Sequence, residues 1–153
     1  MTNPHPIAIL LPLTVGAAAV AGTILIRALA VLVTVNFVRR ERNLGQIGAG
    51  FWVDLWIVAL AISVALVAHL LEIGIWALLF VVCREFSTFG PAYYHSAVNY
   101  TTLGYGDVIM TPSWRMLGPL EAANGMLMFG VSTAIVFTVV QRLVQTRFAD
   151  LRD

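Results

Sequence analysis

The chain has 153 residues, 59% hydrophobic and 11% charged, with a mean hydropathy of +0.87. Soluble domains carry about 25% charged residues, so a water-exposed surface around a sizeable core is excluded and lipid is the solvent that fits. The nine basic residues are all Arg, net charge is +1, and no basic run offers itself to nucleic acid.

The single cysteine, Cys83, excludes an intrachain disulfide and a cysteine-based metal site within one subunit. It reads as a small, buried apolar side chain. The N-terminal MTNPHPI has no positive region and no small-residue cleavage pattern follows, so a cleaved signal peptide is not expected.

Taken in chain order, the first apolar stretch covers residues 7–38 and is interrupted only by Arg27. A second covers residues 51–83, interrupted by Asp54, His69 and Glu72. A third covers residues 117–140, with Glu121 and Asn124 near its start. Each exceeds the roughly 20 apolar residues that a spanning helix needs, and the first two are expected to tilt and protrude into an interface. Pro12 and Gly16 are expected to kink the first, and Gly74 to mark a bend in the second.

Arginine placement sets the orientation. Arg39, Arg40 and Arg42 follow the first span; Arg142, Arg147 and Arg152 follow the third. Both regions are expected to be cytoplasmic, with the N-terminus and residues 84–116 outside, in the plasma (cell inner) membrane.

Residues 84–116 are too long for a tight turn and too apolar for an exposed loop. Gly90-Pro91 predicts a helix start, with Pro91 at the first helical position, and a short helix through Tyr100. Thr101 and Thr102 are β-branched and favour extended backbone. Gly104 and Gly106, spaced by two around Tyr105, allow a backbone that alternates into the left-handed region. Such a chain can aim successive carbonyl oxygens one way, as a dehydrated cation requires.

The run Thr101-Thr102-Leu103-Gly104-Tyr105-Gly106-Asp107 resembles the signature sequence of tetrameric potassium channels, and the likeness extends over residues 51–141 in the order outer helix, pore helix, filter, inner helix. The resemblance implies an all-α membrane protein: three transmembrane helices plus a re-entrant pore helix and filter loop, four copies forming a homotetramer around K+ in the lipid bilayer. It divides the chain into an N-terminal helix and cytoplasmic loop (residues 1–50), the pore domain (51–141) and a short tail (142–153). It assigns the K+-coordinating filter to Thr102, Leu103, Gly104, Tyr105 and Gly106. Thr101, Asp107, Tyr94 and His95 support that filter. Leu103 stands where the family more often has Val or Ile, Tyr94 and His95 where two Trp are common, and Val98 where some relatives are acidic. K+ is the permeant ligand, no cofactor is implied, and passive conduction requires no catalytic residue. The alternatives are a weakly selective cation channel and a modulatory subunit that conducts poorly alone.

On the third span, Gly125 matches the glycine at which family members bend; Gly130 offers a second hinge, and both also suit close helix contact. Phe129, Thr133 and Phe137 share one face and suit a cavity lining, with Phe137 as a gate or a packing residue. Ionisable groups inside a span need partners. His69, Glu72, Glu121 and Asn124 are expected to form a buried polar cluster behind the pore helix, extending to His95. Arg27 is one lone charge, too few for a voltage sensor; snorkelling or pairing with another helix is expected, with Asp54 as one partner.

Overall fold

In a computed structural model of the protein, residues 6–48 and 50–149 are described. They form four helices and no strand: α1 (Pro6–Asn43), α2 (Phe51–Val82), α3 (Phe89–Tyr100) and α4 (Leu117–Ala149). Three of them contain stretches long and apolar enough to cross a membrane, Leu10–Asn43, Phe51–Val82 and Leu117–Arg147. Only 22%, 17% and 17% of their apolar windows are buried within the chain, so most of this surface is left to lipid or to other chains. The protein is an all-helical membrane protein. α1 continues through Pro12 and Gly16, and α2 through Gly74, so none of the three ends a helix.

Three helices finish in the same way. At the end of α1, Gln46 N–H bonds the Glu41 carbonyl and Gly45 N–H the Arg42 carbonyl, both at 3.0 Å, with Gly45 at φ +68. After α2, Glu85 bonds Phe80 and Arg84 bonds Val81, with Arg84 at φ +59. After α3, Leu103 bonds Val98 and Thr102 bonds Asn99, with Thr102 at φ +61. This is the Schellman arrangement, which satisfies the orphan carbonyls of a last turn through one left-handed residue. Glycine fills that position without cost at α1 only. α3 also starts earlier than its sequence suggests: Thr88 is the N-cap, and Pro91 is the third helical residue instead of the first. Proline is tolerated there because the first N–H groups of a helix have no intrahelical acceptor.

The chain forms two compact units, and α1, α2 and α4 each contribute a stretch to both. The first comprises the residues up to Ile26 with Leu70–Met128. Its core gathers Trp76, Ala77 and Phe80 of α2, Ala92 and Tyr100 of α3, and Leu117 of α4. α1 joins through small residues: Ala19 and Thr23 are buried, and a Cβ on Gly22 would stand 3.3 Å from Ile75. Thr23 and Asn124 exchange side-chain hydrogen bonds at 3.0–3.2 Å, so α1 is pinned to α4 by a polar pair as well as by close packing.

The second unit comprises Arg27–His69 with the chain from Phe129 onward. Ile57, Ala61, Val139 and Leu143 form its apolar centre. Asp54 accepts from Arg147 Nε at 2.8 Å and from Gly48 N–H at 3.1 Å, closing the α1–α2 loop and α4 onto the start of α2. Arg27 therefore does not pair with Asp54. It donates to Ser132 Oγ at 2.5 Å and lies 2.9 Å from His69 Nδ1. Its level on α1 matches the middle of α2, and Asp54 lies four helical turns away at that helix's start.

Within the first unit, Gly125 is the tightest approach between helices: a Cβ there would overlap the Tyr100 carbonyl oxygen, whereas a Cβ on Gly130 meets nothing within 4 Å. Gly125→Ala should therefore lower the thermal stability of the purified protein, by about 1–3 kcal/mol, while Gly130→Ala leaves it unchanged or raises it. Equal melting behaviour of the two variants would contradict this packing.

Candidate functional site: the short helix α3 and the segment that follows it

α3 has only 12 residues, too few to persist alone in water or to cross a bilayer. Its side chains fasten it instead. Ser96, fully buried, places its hydroxyl 2.8 Å from the Ile73 carbonyl of α2 and 2.5 Å from Glu121 Oε1 of α4. The buried Tyr100 hydroxyl donates to Glu72 Oε2. Tyr93 donates to the Leu70 carbonyl at 3.1 Å. Two spanning helices thus hold one short helix through hydroxyl contacts, and those of Ser96 and Tyr100 are buried, where each lost partner costs most.

The expected polar residues are all buried; Glu121 and His95 are linked through a shared partner, Asn99. Glu72 meets Tyr100, Glu121 meets Ser96, and Asn124 meets Thr23. His69 lies with Arg27 and Ser132 in the second unit, its ring stacked on Phe129 at 4.1 Å and 23°. His95 bonds Asn99 Nδ2 at 2.8 Å and the Val108 backbone, between the rings of Phe80 and Phe86. Sequence reasoning did not assign Tyr100, Ser96, Thr23 or Ser132. The signal was available in principle, since each is a hydroxyl on a helix that must bury it.

Beyond α3, the backbone alternates. Thr102, Gly104 and Gly106 have φ of +61, +59 and +72, and Leu103 and Tyr105 between them do not. The glycines supply this at no steric cost, whereas Thr102 is β-branched, for which a positive φ is an outlier. Leu103 and Gly104 N–H both bond the Val98 carbonyl, at 3.0 and 3.3 Å, so the segment starts from the last turn of α3. Its far end is fixed by Asp107, whose Oδ2 accepts from Tyr94 at 2.7 Å. That hydrogen bond is the main reason the Tyr94 hydroxyl holds its proton above the ordinary tyrosine range. Further on, Glu85 clasps Thr111, accepting from its N–H and its hydroxyl, each at 2.7 Å. Behind the segment is a groove of about 540 Å³, walled by His95, Val98 and Asn99 of α3 and by Gly118, Pro119 and Ala122 of α4. Residues Thr101 to Asp107 themselves are exposed, with Leu103 58% and Tyr105 67% accessible.

Three helices long and apolar enough to cross a membrane, a short helix between the last two with one face buried, and a glycine-alternating segment after it make up the fold. A family model described as "ion channel" matches residues 55–142, more than half of the chain. The chain belongs to this family of ion channels, of the two-helix, potassium-channel pore-domain type, and carries one additional N-terminal helix. No match is found among curated proteins or among solved structures.

Two measurements follow. Tyr94→Phe removes the donor to Asp107 and should speed amide exchange across residues 105–110 about fivefold, the effect of losing about 1 kcal/mol; unchanged exchange would mean that the hydrogen bond does not hold the segment. Burial holds the His95 imidazole below its ordinary range, against the opposing pull of the Val108 backbone and the Asp107 and Glu85 charges. With a lowered folded-state value, the unfolded chain binds more protons in that window. The stability from neutral His95 is complete above the unfolded value near 6.5 and is lost as pH falls through the folded value. Melting temperature should therefore drop on acidification from about pH 7 to about pH 5, and His95→Gln should flatten that slope.

Proposed function

We propose that this chain is the subunit of a homotetrameric, potassium-selective channel that conducts passively through the Thr101–Asp107 segment. The alternation of φ sign at Thr102, Gly104 and Gly106 is the observation that carries the reading. A backbone that alternates in this way turns successive carbonyl oxygens to one side, and rings of such oxygens can replace the hydration shell of K+. The backbone oxygens of Thr102, Leu103, Gly104 and Tyr105, with the Thr102 hydroxyl, are the coordinating groups, and Gly106 completes the filter. Tyr94 and His95 support it from α3, as do Thr101 and Asp107 at its ends.

One chain supplies one wall. The exposure of Leu103 and Tyr105 in a single copy supports the need for neighbours, because apolar side chains of this size are covered in the assembled state of a membrane protein. The C-terminal end of α3, negative by its macrodipole, would favour a cation beneath the filter. Phe137, 64% exposed, suits a ring that narrows the pore, and Gly130, without close contacts, is a better hinge than Gly125. Arg39, Arg40 and Arg42 with Arg142 and Arg147 favour a cytoplasmic loop and C-terminus and an external N-terminus. Neither a cofactor nor a catalytic residue enters this reading.

Purified protein in liposomes should pass K+ at a rate far above Na+, as a particle of four 16.7-kDa chains, and Gly104→Ala should abolish the flux, since alanine at φ +59 is strained by about 1–2 kcal/mol in each subunit. Equal passage of Na+ and K+ would replace this reading with a weakly selective cation channel. A monomeric particle without flux would remove it.

A further inference from the structure

The second unit carries a groove of about 550 Å³ between the last turns of α1 and of α4. Its walls grade from apolar to cationic in the same direction on both helices. On α1, Val35 and Val38 lead to Arg39 and Arg42; on α4, Ile135 and Val139 lead to Arg142 and Thr146. Arg39 and Arg42 are three apart and share a helical face, and with Arg142 they make three arginines that line the groove.

Two other arginines of the unit already have side-chain partners. Arg147 is neutralised by Asp54, and Arg27 is bonded to Ser132 and His69. Among the described residues, no carboxylate lies within ion-pair distance of Arg39, Arg42 or Arg142. The α4 hydroxyls of the groove are also committed, as is that of the buried Thr34, which donates to the Ala30 carbonyl. Thr138 donates to the Ala134 carbonyl at 2.8 Å and Thr146 to the Arg142 carbonyl at 3.0 Å. Toward the groove, both oxygens are left as acceptors. The site thus offers several cationic donors for an anion, hydroxyl oxygens that accept, and an apolar floor.

Its position narrows the ligand further. The spans Leu10–Asn43 and Leu117–Arg147 have 34 and 31 residues, against roughly 20 needed to cross the hydrocarbon. Their ends, where the arginines stand, reach the headgroup layer, and the apolar walls extend from there toward the acyl chains. Basic pockets between helices at that level suit anionic lipid headgroups.

We propose that this groove is a binding site for an anionic phospholipid whose headgroup carries hydroxyls, as phosphatidylglycerol does. Arg39, Arg42 and Arg142 hold the phosphate, Thr146 accepts from a headgroup hydroxyl, and one acyl chain lies along Val35 and Ile135. α1 supplies half of the site, so the lipid ties the additional helix to α4.

Native mass spectrometry of the purified full-length protein, titrated separately with phosphatidylglycerol, phosphatidylcholine and phosphatidic acid, tests this. Phosphatidylglycerol should bind more tightly than either of the others. Arg142→Gln and Arg39→Gln should each weaken it about fivefold. Arg40→Gln, with the same change of charge one residue outside the groove, should leave binding unchanged. Thr146→Val should reduce the preference for phosphatidylglycerol over phosphatidic acid. Equal losses in the Arg40 and Arg142 variants would reduce the effect to general surface charge and overturn the site. So would equal binding of phosphatidylcholine, or displacement by millimolar glycerol phosphate, which would identify the ligand as a soluble phosphate.

Discussion

The last turn of α3 is where the structure is most constrained. Four carbonyls end that helix, and their surroundings hold them in place. Ala97 accepts from Thr101, Val98 from Leu103 and Gly104, and Asn99 from Thr102. Tyr100 presses its carbonyl against Gly125, where no side chain fits. The helix therefore cannot be extended, shifted or rotated without losing either the close contact with α4 or the bonds that start the following segment. Thr102 adopts a left-handed conformation to complete this end, and the next two left-handed residues repeat it at intervals of two. The alternation of the segment after α3 begins as a helix cap.

That cap is strained. A left-handed conformation costs an L-residue roughly 1–2 kcal/mol, and a β-branched one more. The surroundings that over-determine it are the buried pairs Ser96–Glu121 and Tyr100–Glu72 on one side and Tyr94–Asp107 on the other. In a lipid-facing protein the apolar effect between helices is weak, so small residues and polar pairs perform the positioning. The first unit follows this rule throughout. Ala19 and Gly22 bring α1 close, and Thr23–Asn124 fixes its register. Strain at a residue whose hydroxyl and carbonyl are proposed to face an ion is the kind that persists because the geometry is used.

How much of this the sequence disclosed depends on the kind of signal. The spans were legible because hydropathy over a long window is a bulk property, and the order of elements followed from it. The glycine spacing at 104 and 106 was legible because only glycine reads directly as positive φ. Thr102 and Arg84 were not, since a left-handed residue other than glycine leaves no compositional trace. Individual pairings were the least legible. His69, Glu72, Glu121 and Asn124 were recognisable as costly groups that need partners, but which partner depends on azimuth and depth together. Arg27 shows the difficulty: charge alone favours Asp54, yet its level on α1 brings it to Ser132 and to the His69 ring. The start of α3 at Thr88 was missed for a smaller reason, because Pro is acceptable throughout a first turn.

The additional helix α1 bears on how such a chain is held in a membrane. In the first unit it is secured by contacts that lipid could not replace, a Gly and Ala approach and a buried Thr–Asn pair. In the second unit its last turns diverge in character, with Thr34 buried and Arg39 and Arg42 turned to a groove that α4 shares. Arg39, Arg42 and Arg142 are exposed, so water and salt screen their mutual repulsion. On the proposed reading, an anion held by all three would add an attraction that ties α1 to α4. Anchorage of the helix that lies outside the family's two-span core would then depend on the charge of the surrounding lipid.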